Sequence, residues 1–508
     1  MRYDYDVIVV GAGNGGLAAA SELAGAGLKT LLLEKHNLPG GVATSFVRGR
    51  FEFEASLHEL CNVGTEEMPL EIRDVLGRLG SDTVFRNEKN LFRAIVTGDG
   101  GYDVTISAGE ENFERSMLEV CPESEKSLKK LKKLIKKSAD AIKYNDSKGG
   151  KPNRLVMMMK YGAFLISASS SLDDVLRSLG FSLRARSILE TYWSYLGVPA
   201  DELNAFHYFE MLRGYINGGA GIPENKSYGI SLSLAEAVLK RGGTIRYNAE
   251  VTHFIYDENK RAVGVAVGGD EYYAKEIVSN VIPHNVLGMS GGKNVPERDK
   301  KLLNARKFGM SFICIYLGLD ETAEKLGIND YSVFIARKAS SRSQYRDASD
   351  MGMYAVNCLN TAIPAATPEG TCSLFFSIPV IRDTVTKNVT PEGYKKFKSD
   401  VAAKYIEDYE KVVGVQIKEH IEEISVATPA TFARYFGSPN GTAYGYELSG
   451  WDGLIARILS KGSELNIDGL TFCGGHSASG DGFGVAYTSG IEAAGKVIEK
   501  LKGENGNG

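Results

Sequence analysis

The run Gly11-Ala12-Gly13-Asn14-Gly15-Gly16 directly follows a short apolar segment, Asp6–Val10. Residues of these types at this spacing are suited to holding a pyrophosphate. Gly11 permits a tight turn, Gly13 lets the backbone approach the phosphates, and Gly16 lets the next helix pack closely on the strand. Asn14 and Gly15 complete the turn. The first N–H groups of that helix, with the positive end of its dipole, favour an anion. Glu34 stands 18 residues beyond Gly16, at the end of a second apolar segment, Lys29–Leu33. A carboxylate there accepts both hydroxyls of an adenosine ribose and disfavours a 2′-phosphate. The chemistry indicated is FAD or NAD binding rather than NADP binding.

Two further glycine clusters favour FAD. Lys35 and then Gly40-Gly41-Val42 follow the acid, with Thr44 and Ser45 beyond. A glycine pair there lets a loop turn back under the pyrophosphate, and Thr and Ser can cap a helix or donate to phosphate. Near the other end, Gly474-Gly475-His476-Ser477 leads to Gly480-Asp481-Gly482-Phe483-Gly484. A helix start after such a turn makes a second anion and carbonyl site, suited to the negative charge of a reduced flavin. There is no second strand–GxGxxG–helix unit for a nicotinamide cofactor. Gly218-Gly219-Ala220-Gly221 follows no clear strand and reads as a loop. Electrons therefore pass to or from an external partner, or the reaction is redox neutral.

These residues need a scaffold. Asp6–Val10 and Lys29–Leu33 read as strands, joined by a helix over Leu17–Ala26 that closes at Gly27. Leu470–Cys473 reads as a strand and Val485–Lys500 as a helix. Sites at opposite ends of the chain imply that both ends converge on one cofactor. Ser311–Leu319 and Thr371–Ile378 read as strands of a sheet walling a substrate cavity, and segment 124–215 as largely helical. Lys126–Lys137 carries seven lysines, with Leu128, Leu131, Leu134 and Ile135 on one side. This amphipathic helix is either a solvated face or a membrane-surface contact where a lipophilic substrate enters. Met157-Met158-Met159 and Phe164-Leu165-Ile166 either pack in the core or line an apolar tunnel mouth.

Composition narrows the partners. The 508 residues are 43% hydrophobic and 24% charged, an ordinary globular balance in a chain long enough for several domains. A net charge of −4 supplies no basic field for nucleic acid. No two of the six cysteines lie closer than 14 positions, which excludes CxxC spacing and reads as buried free thiols. No metal-ligating cluster, HExxH, Ser-His-Asp order or phosphate-loop motif stands out. Asp4 and Asp6 before a four-residue apolar run argue against a secretory signal, and no run of ~20 apolar residues exists to span a membrane. The expected location is cytoplasmic, with or without peripheral contact at a membrane through 126–137.

The order of motifs resembles a known family. Gly214–Pro223 precedes Tyr228-Gly229, Gly242-Gly243, Asn248, Val251, Ala262–Val265, Val278-Ser279-Asn280 and Pro283. Thr428-Pro429, Thr431-Phe432, Pro439, Gly441 and Tyr444-Gly445 follow, and the C-terminal glycine run closes the series. This is similar to the FAD-dependent phytoene desaturase, carotenoid isomerase and retinol saturase family, within the flavin amine oxidase-like superfamily. The stretch 428–445 resembles the isomerase and saturase subgroup.

That resemblance implies an α/β fold. A discontinuous Rossmann-type FAD-binding domain would span about 1–110, 225–290 and 455–508. An inserted α+β substrate domain would span 111–224 and 291–454, with 111–224 a helical subregion that could face a membrane. It implies cofactor contacts from Gly11, Gly13, Asn14, Gly15, Gly16, Glu34, Lys35, Gly40, Gly41 and Val42, from Val251 through its backbone, and from Gly474, Gly475, Asp481, Gly482 and Phe483. Two positions depart from the family: Gly475 stands where many relatives have an acid, and Gly484 where relatives often have proline. The covalent-flavin motif Ser-Gly-Gly-Cys-Tyr is absent, so FAD would be held non-covalently.

Phe51–Glu59 matches the family stretch that passes near the isoalloxazine, making His58 and Glu59 candidate proton donors or acceptors beside a hydride exchanged at flavin N5. Tyr444 and Tyr446 are placed to roof the flavin. The implied enzyme is an FAD-dependent oxidoreductase or isomerase that saturates, desaturates or isomerises carbon–carbon double bonds of a hydrophobic polyene or lipid-like substrate. The rivals are a flavin amine oxidase, and a flavin-free lipid-binding protein like the GDP-dissociation inhibitors. The intact glycine and Glu34 set argues against the flavin-free rival.

Overall fold

The computed structural model describes residues 2–505 apart from positions 58, 99, 150, 293, 382–385, 388, 454–456, 458–464 and 478–481. The chain opens as a parallel βαβ unit: β1 (Tyr5–Val10), α1 (Asn14–Gly25) and β2 (Thr30–Leu33). Helix α1 starts three residues before the expected Leu17, because Gly15 and Gly16 form its first turn. Val7, Ile8, Val9, Leu31 and Leu32 are fully buried. Helices or other layers cover both faces of such strands, which is why they are continuously apolar rather than alternating.

The first sheet has seven strands, gathered from three separate parts of the chain. Asp270–Ser279 lies parallel to β1 with Ser279 opposite Val10, and takes Leu470–Phe472 in parallel on its other side. Thr244–Arg246 extends the sheet beyond β2, while Val251–Tyr256 and Ala262–Val267 form an antiparallel arm. The long C-terminal helix Phe483–Asn505 packs against α1. A Cβ at Gly490 would stand 2.3 Å from the carbonyl oxygen of Gly15, so only glycine permits that approach.

A second seven-stranded sheet runs in the order Ile421–Ala427, Ser311–Leu319, Cys372–Val380, Met353–Cys358, Ser332–Ala336, Asn90–Val96, Tyr102–Ser107. Its last two strands come from the stretch 1–110 that the sequence assigns to the first domain. They pair here because Asn90–Val96 lies parallel to Ser332–Ala336, a long-range partnership that local pattern does not encode. Ser311–Leu319 shows why a sheet needs two kinds of face. Ile313, Ile315, Leu317 and Leu319 pack on the helix Tyr394–Val413 through Ala402, Tyr405, Ile406 and Tyr409. Cys314 and Tyr316 pack on Phe51 and Phe53.

A helical layer covers one end of this sheet. Helix Glu125–Ser147 turns Leu128, Leu131 and Leu134 into a core shared with Tyr192, Trp193 and Tyr208, leaving its lysines outside. Its neighbour, Arg154–Ser169, is capped by the Asn153 side chain and leaves Leu155, Met158, Met159 and Ile166 64–80% exposed. Gly218–Gly221 is not a free loop. Gly218 ends the helix Ala205–Gly218, and Gly221–Pro223 pairs with Phe85–Asn87. Among the described residues no helix is long and apolar enough to cross a membrane. Five cysteines are buried and Cys61 half-buried, all as free thiols.

Candidate functional site

The glycine turns from the two ends of the chain meet at one crevice. Gly11, at φ +92°, donates its N–H to the Leu33 carbonyl at 2.8 Å. A Cβ at Gly16 would lie 1.9 Å from the Gly11 oxygen, so the turn and the helix it starts fit together only without a side chain. Gly40 donates to the Ala12 carbonyl at 2.8 Å, and a Cβ on Gly41 would approach Gly13 Cα to 3.3 Å. The loop leading on to Val42 therefore folds across the first turn, and Ser56 donates to the Val42 carbonyl at 2.8 Å. From the far end, the backbone nitrogen of Gly474 lies 2.7 Å from where a Gly15 Cβ would be. Gly474 donates to Ser489 Oγ at 2.8 Å, and Gly475 abuts Gly445. Gly482, at φ +102°, precedes the helix that Phe483 begins.

Glu34 is buried at the rim. Its Oε2 accepts the Ala12 N–H at 2.6 Å and its Oε1 the His36 N–H at 2.8 Å. The Glu34 carbonyl accepts Ala249 N–H at 2.8 Å, which brings the strand starting at Val251 alongside. Lys35 is exposed and reaches toward Gly437. No side chain caps α1, leaving its first N–H groups for a ligand. Four buried polar atoms also lack a protein partner: Asn14 Oδ1, His476 Nε2, Ser477 Oγ and Tyr487 Oη. Glycine walls, two helix starts and these atoms fit a dinucleotide. His58 and Asp481, both candidates from the sequence, lie outside the described residues.

Sequence reasoning did not single out Asn280 as a site residue. Its amide borders Gly13, Gly15 and Gly474 at once. The available signal was topological. Asn280 is the first residue after a strand in register with β1, and the carboxyl ends of parallel strands are where such sheets bind ligands.

Glu59 is buried, and burial pushes its carboxyl up to about 8. Tyr195 Oη donates to Glu59 Oε1 at 3.2 Å, while Oε2 has no partner. A carboxyl of this kind is protonated near neutrality and still has an oxygen free to donate. Tyr195 comes from the helical layer and is near Tyr331 and Tyr444 as well. Tyr444 donates to the Ser194 carbonyl at 3.1 Å and meets Phe312 edge-on. Glu59 and Tyr444 thus flank Tyr195. Tyr446 belongs to a different cluster: it bonds His284 at 2.8 Å, and Arg306 lies 3.5 Å from its ring centroid. Arg306 and Arg457 share the buried Asp452. Burial, then these two arginines, drives the neighbouring His476 down to about 3.

A cavity of about 500 Å³ opens between Glu52–Leu57 and the second sheet, lined by Phe53, Tyr316, Tyr331 and Phe375 among others. Glu54 faces it, held by the Ser227 N–H at 2.7 Å and by the Ser227 hydroxyl. Burial raises its carboxyl to about 7. Lys226 pairs with Glu52 at 2.9 Å on the same wall.

Comparison with known proteins follows this layout. Residues 9–68 match the family model described as an NAD(P)-binding Rossmann-like domain. The chain is 25% identical over 482 residues to an all-trans-retinol 13,14-reductase from Danio rerio, covering 87% of this chain and 77% of the relative. It is 26% identical over 514 residues to a chloroplastic prolycopene isomerase from Arabidopsis thaliana, covering 98% and 83%. A redesigned putrescine oxidase shares the fold, with a TM-score of 0.65, 16% identity and coverage of 98% and 99%.

Proposed function

We propose, from the chain's membership of the family that joins retinol 13,14-reductases and prolycopene isomerases, that it is a flavin-dependent oxidoreductase or isomerase acting on carbon–carbon double bonds of a hydrophobic polyene or lipid-like substrate. One observation carries this reading: the likeness covers 98% of the chain, so it includes the second sheet and its cavity as well as the dinucleotide-binding unit. The amine oxidases share the fold at much lower identity, and a fold hosts many chemistries. Within this reading the cofactor-binding region comprises the first sheet with both glycine turns, and the substrate region comprises the second sheet with its helical layer.

The FAD pyrophosphate would lie on Gly11–Gly16 with Asn280 beneath it, the adenosine ribose by Glu34, and the ring toward Gly475, Gly482 and Phe483. When bound, the flavin exchanges a hydride with a substrate carbon. The chain's own contribution is the proton and its surroundings. Glu59 holds a proton on its partner-free Oε2, kept there by burial, and gives it to the neighbouring carbon. Tyr195 fixes the orientation of Glu59, and Phe53, Tyr316 and Phe375 keep water from the double bond. We assign the flavin a non-covalent attachment, since the motif for a covalent one is missing.

Substrate access points to a membrane surface. The exposed Leu155, Met158, Met159 and Ile166 lie on a helix packed against the lysine-rich one, a pairing of apolar and cationic faces suited to an anionic bilayer.

The test is a visible spectrum of the purified protein before and after anaerobic dithionite. Flavin bands that bleach on reduction and leave with the supernatant after acid precipitation support non-covalent FAD. Each redox state is then offered polyenes and amines. Saturation or isomerisation of a polyene is the expected result. Amine turnover with peroxide release, or a colourless protein that takes up no FAD, overturns the reading.

A further inference from the structure

The cavity beneath the Phe51–Glu59 segment is apolar over most of its wall, through residues such as Phe53, Leu57, Ile222, Leu359 and Phe375. Its polar side chains are engaged elsewhere, with one exception. Glu52 pairs with Lys226, Glu54 takes both donors of Ser227, and Ser373 bonds Asn360. Asn357 also lines the cavity and is 4% exposed, yet neither its Oδ1 nor its Nδ2 has a hydrogen-bond partner.

Strand geometry explains why this is not a packing accident. Asn357 lies on Met353–Cys358, whose alternate residues Tyr354, Val356 and Cys358 face the aliphatic core on the far side. Asn357 therefore points with Met353 and Ala355 toward the opposite face. Its cross-strand neighbours are Ser332, whose Oγ is likewise buried without a partner, and Phe375. A leucine would fill this place at no desolvation cost, whereas a buried amide with no partner is penalised unless a ligand supplies one.

We infer that Asn357 is a specificity-determining residue that binds a neutral alcohol group at the end of the polyene substrate. This rests on the double-bond reading above and narrows it. An amide donates and accepts at once, which matches a hydroxyl. A carboxylate head suits the cavity poorly. Among the described residues the one cation on the wall, Lys226, is already paired with Glu52, and Glu54 adds a further acid. A hydrocarbon end leaves the amide unsatisfied, and a site built to bond a hydroxyl discriminates against ligands that lack it.

The experiment measures binding directly, by quenching of protein fluorescence in the flavin-loaded enzyme. The probes are all-trans-retinol, the hydrocarbon with a methyl group in place of its CH2OH, and the corresponding carboxylic acid. The wild type should bind the alcohol tightest of the three. Asn357→Leu should weaken the alcohol about tenfold and leave the hydrocarbon unchanged. If Asn357→Leu does not fold, the wild-type ranking, extended to the methyl ether that accepts but cannot donate, decides alone. Equal binding of alcohol and hydrocarbon by the wild type overturns the inference. So does equal weakening of both ligands by Asn357→Leu, or no binding of any probe. A preserved alcohol preference without turnover of any double bond overturns the proposed reaction and leaves the Asn357 site standing.

Discussion

Tyr195 donates its hydroxyl to Glu59 across 3.2 Å, although 136 positions separate them in the chain. Glu59 belongs to the segment that leaves the dinucleotide-binding unit, and Tyr195 to the helical layer beside the second sheet. The pair therefore fastens the proton-bearing group to the substrate side. Tyr195 stacks on Tyr192 at 5.0 Å and approaches Phe334 at 5.7 Å, so a packed aromatic cluster sets the direction of the hydroxyl.

Replacing Glu59 by Gln removes the proton while keeping the shape. General acid catalysis contributes roughly 10²–10⁴-fold, and a loss of about 10²-fold or more in kcat is expected with flavin content unchanged. The wild-type rate should fall as pH rises through about 8, where the buried carboxyl ionises. The variant's residual rate should be flat over that range. Steady-state pH profiles of the two proteins check this.

Tyr195→Phe tests the relay separately. The Tyr195 hydrogen bond favours ionised Glu59, so deleting it should move the alkaline limb upward. A hydrogen bond worth ~1 kcal/mol corresponds to roughly half to one pH unit. An unmoved limb would mean that Tyr195 does not act on Glu59.

Glu190 provides a stability test away from the flavin. Burial pushes its carboxyl up to about 8, despite the 2.9 Å bond from Ser341. A raised folded-state value favours folding fully below the unfolded value near 4.5, and that support is lost as pH climbs to about 8. Glu190→Gln should therefore gain on the wild type in Tm between pH 4.5 and 8, and the gap should then level off. Thermal unfolding at four or five pH values measures it.

Gly16→Ala places a methyl group 1.9 Å from the Gly11 carbonyl oxygen. Overpacking of this kind costs roughly 1–3 kcal/mol, and here the displaced atoms are the turn itself. The variant should be less stable and should purify with little flavin. A full flavin complement would show that the turn is not the pyrophosphate cradle.

The paired variant Met158→Glu with Met159→Glu puts two charges on the exposed apolar helix. Flotation with vesicles rich in anionic lipid should be lost, while the flavin spectrum stays the same. Retained flotation would place the contact elsewhere.

The sequence carries the dinucleotide-binding unit almost whole, because its determinants are local: β1, the glycine turn and β2 lie within 30 residues, and each glycine has a steric reason. Ser311–Leu319 is legible for the same reason, through one aliphatic face. What the sequence hides is long-range. Asn90–Val96 crosses to the second sheet by pairing with a strand more than 200 residues later. Tyr195 and Asn357 carry no motif at all. They become notable only when the fold places one beside Glu59 and leaves the other without a partner.

The strand Leu470–Phe472 occupies an inner edge of the first sheet, and the helix after it packs on α1. Both come from the last tenth of the chain. During synthesis, β1, α1 and β2 emerge first, yet the crevice they begin stays open on one side until nearly the entire polypeptide has left the ribosome. Cofactor loading must then be a late, post-translational event, and a nascent chain stalled before residue 470 would expose the apolar flank of Asp270–Ser279 to whatever chaperone meets it.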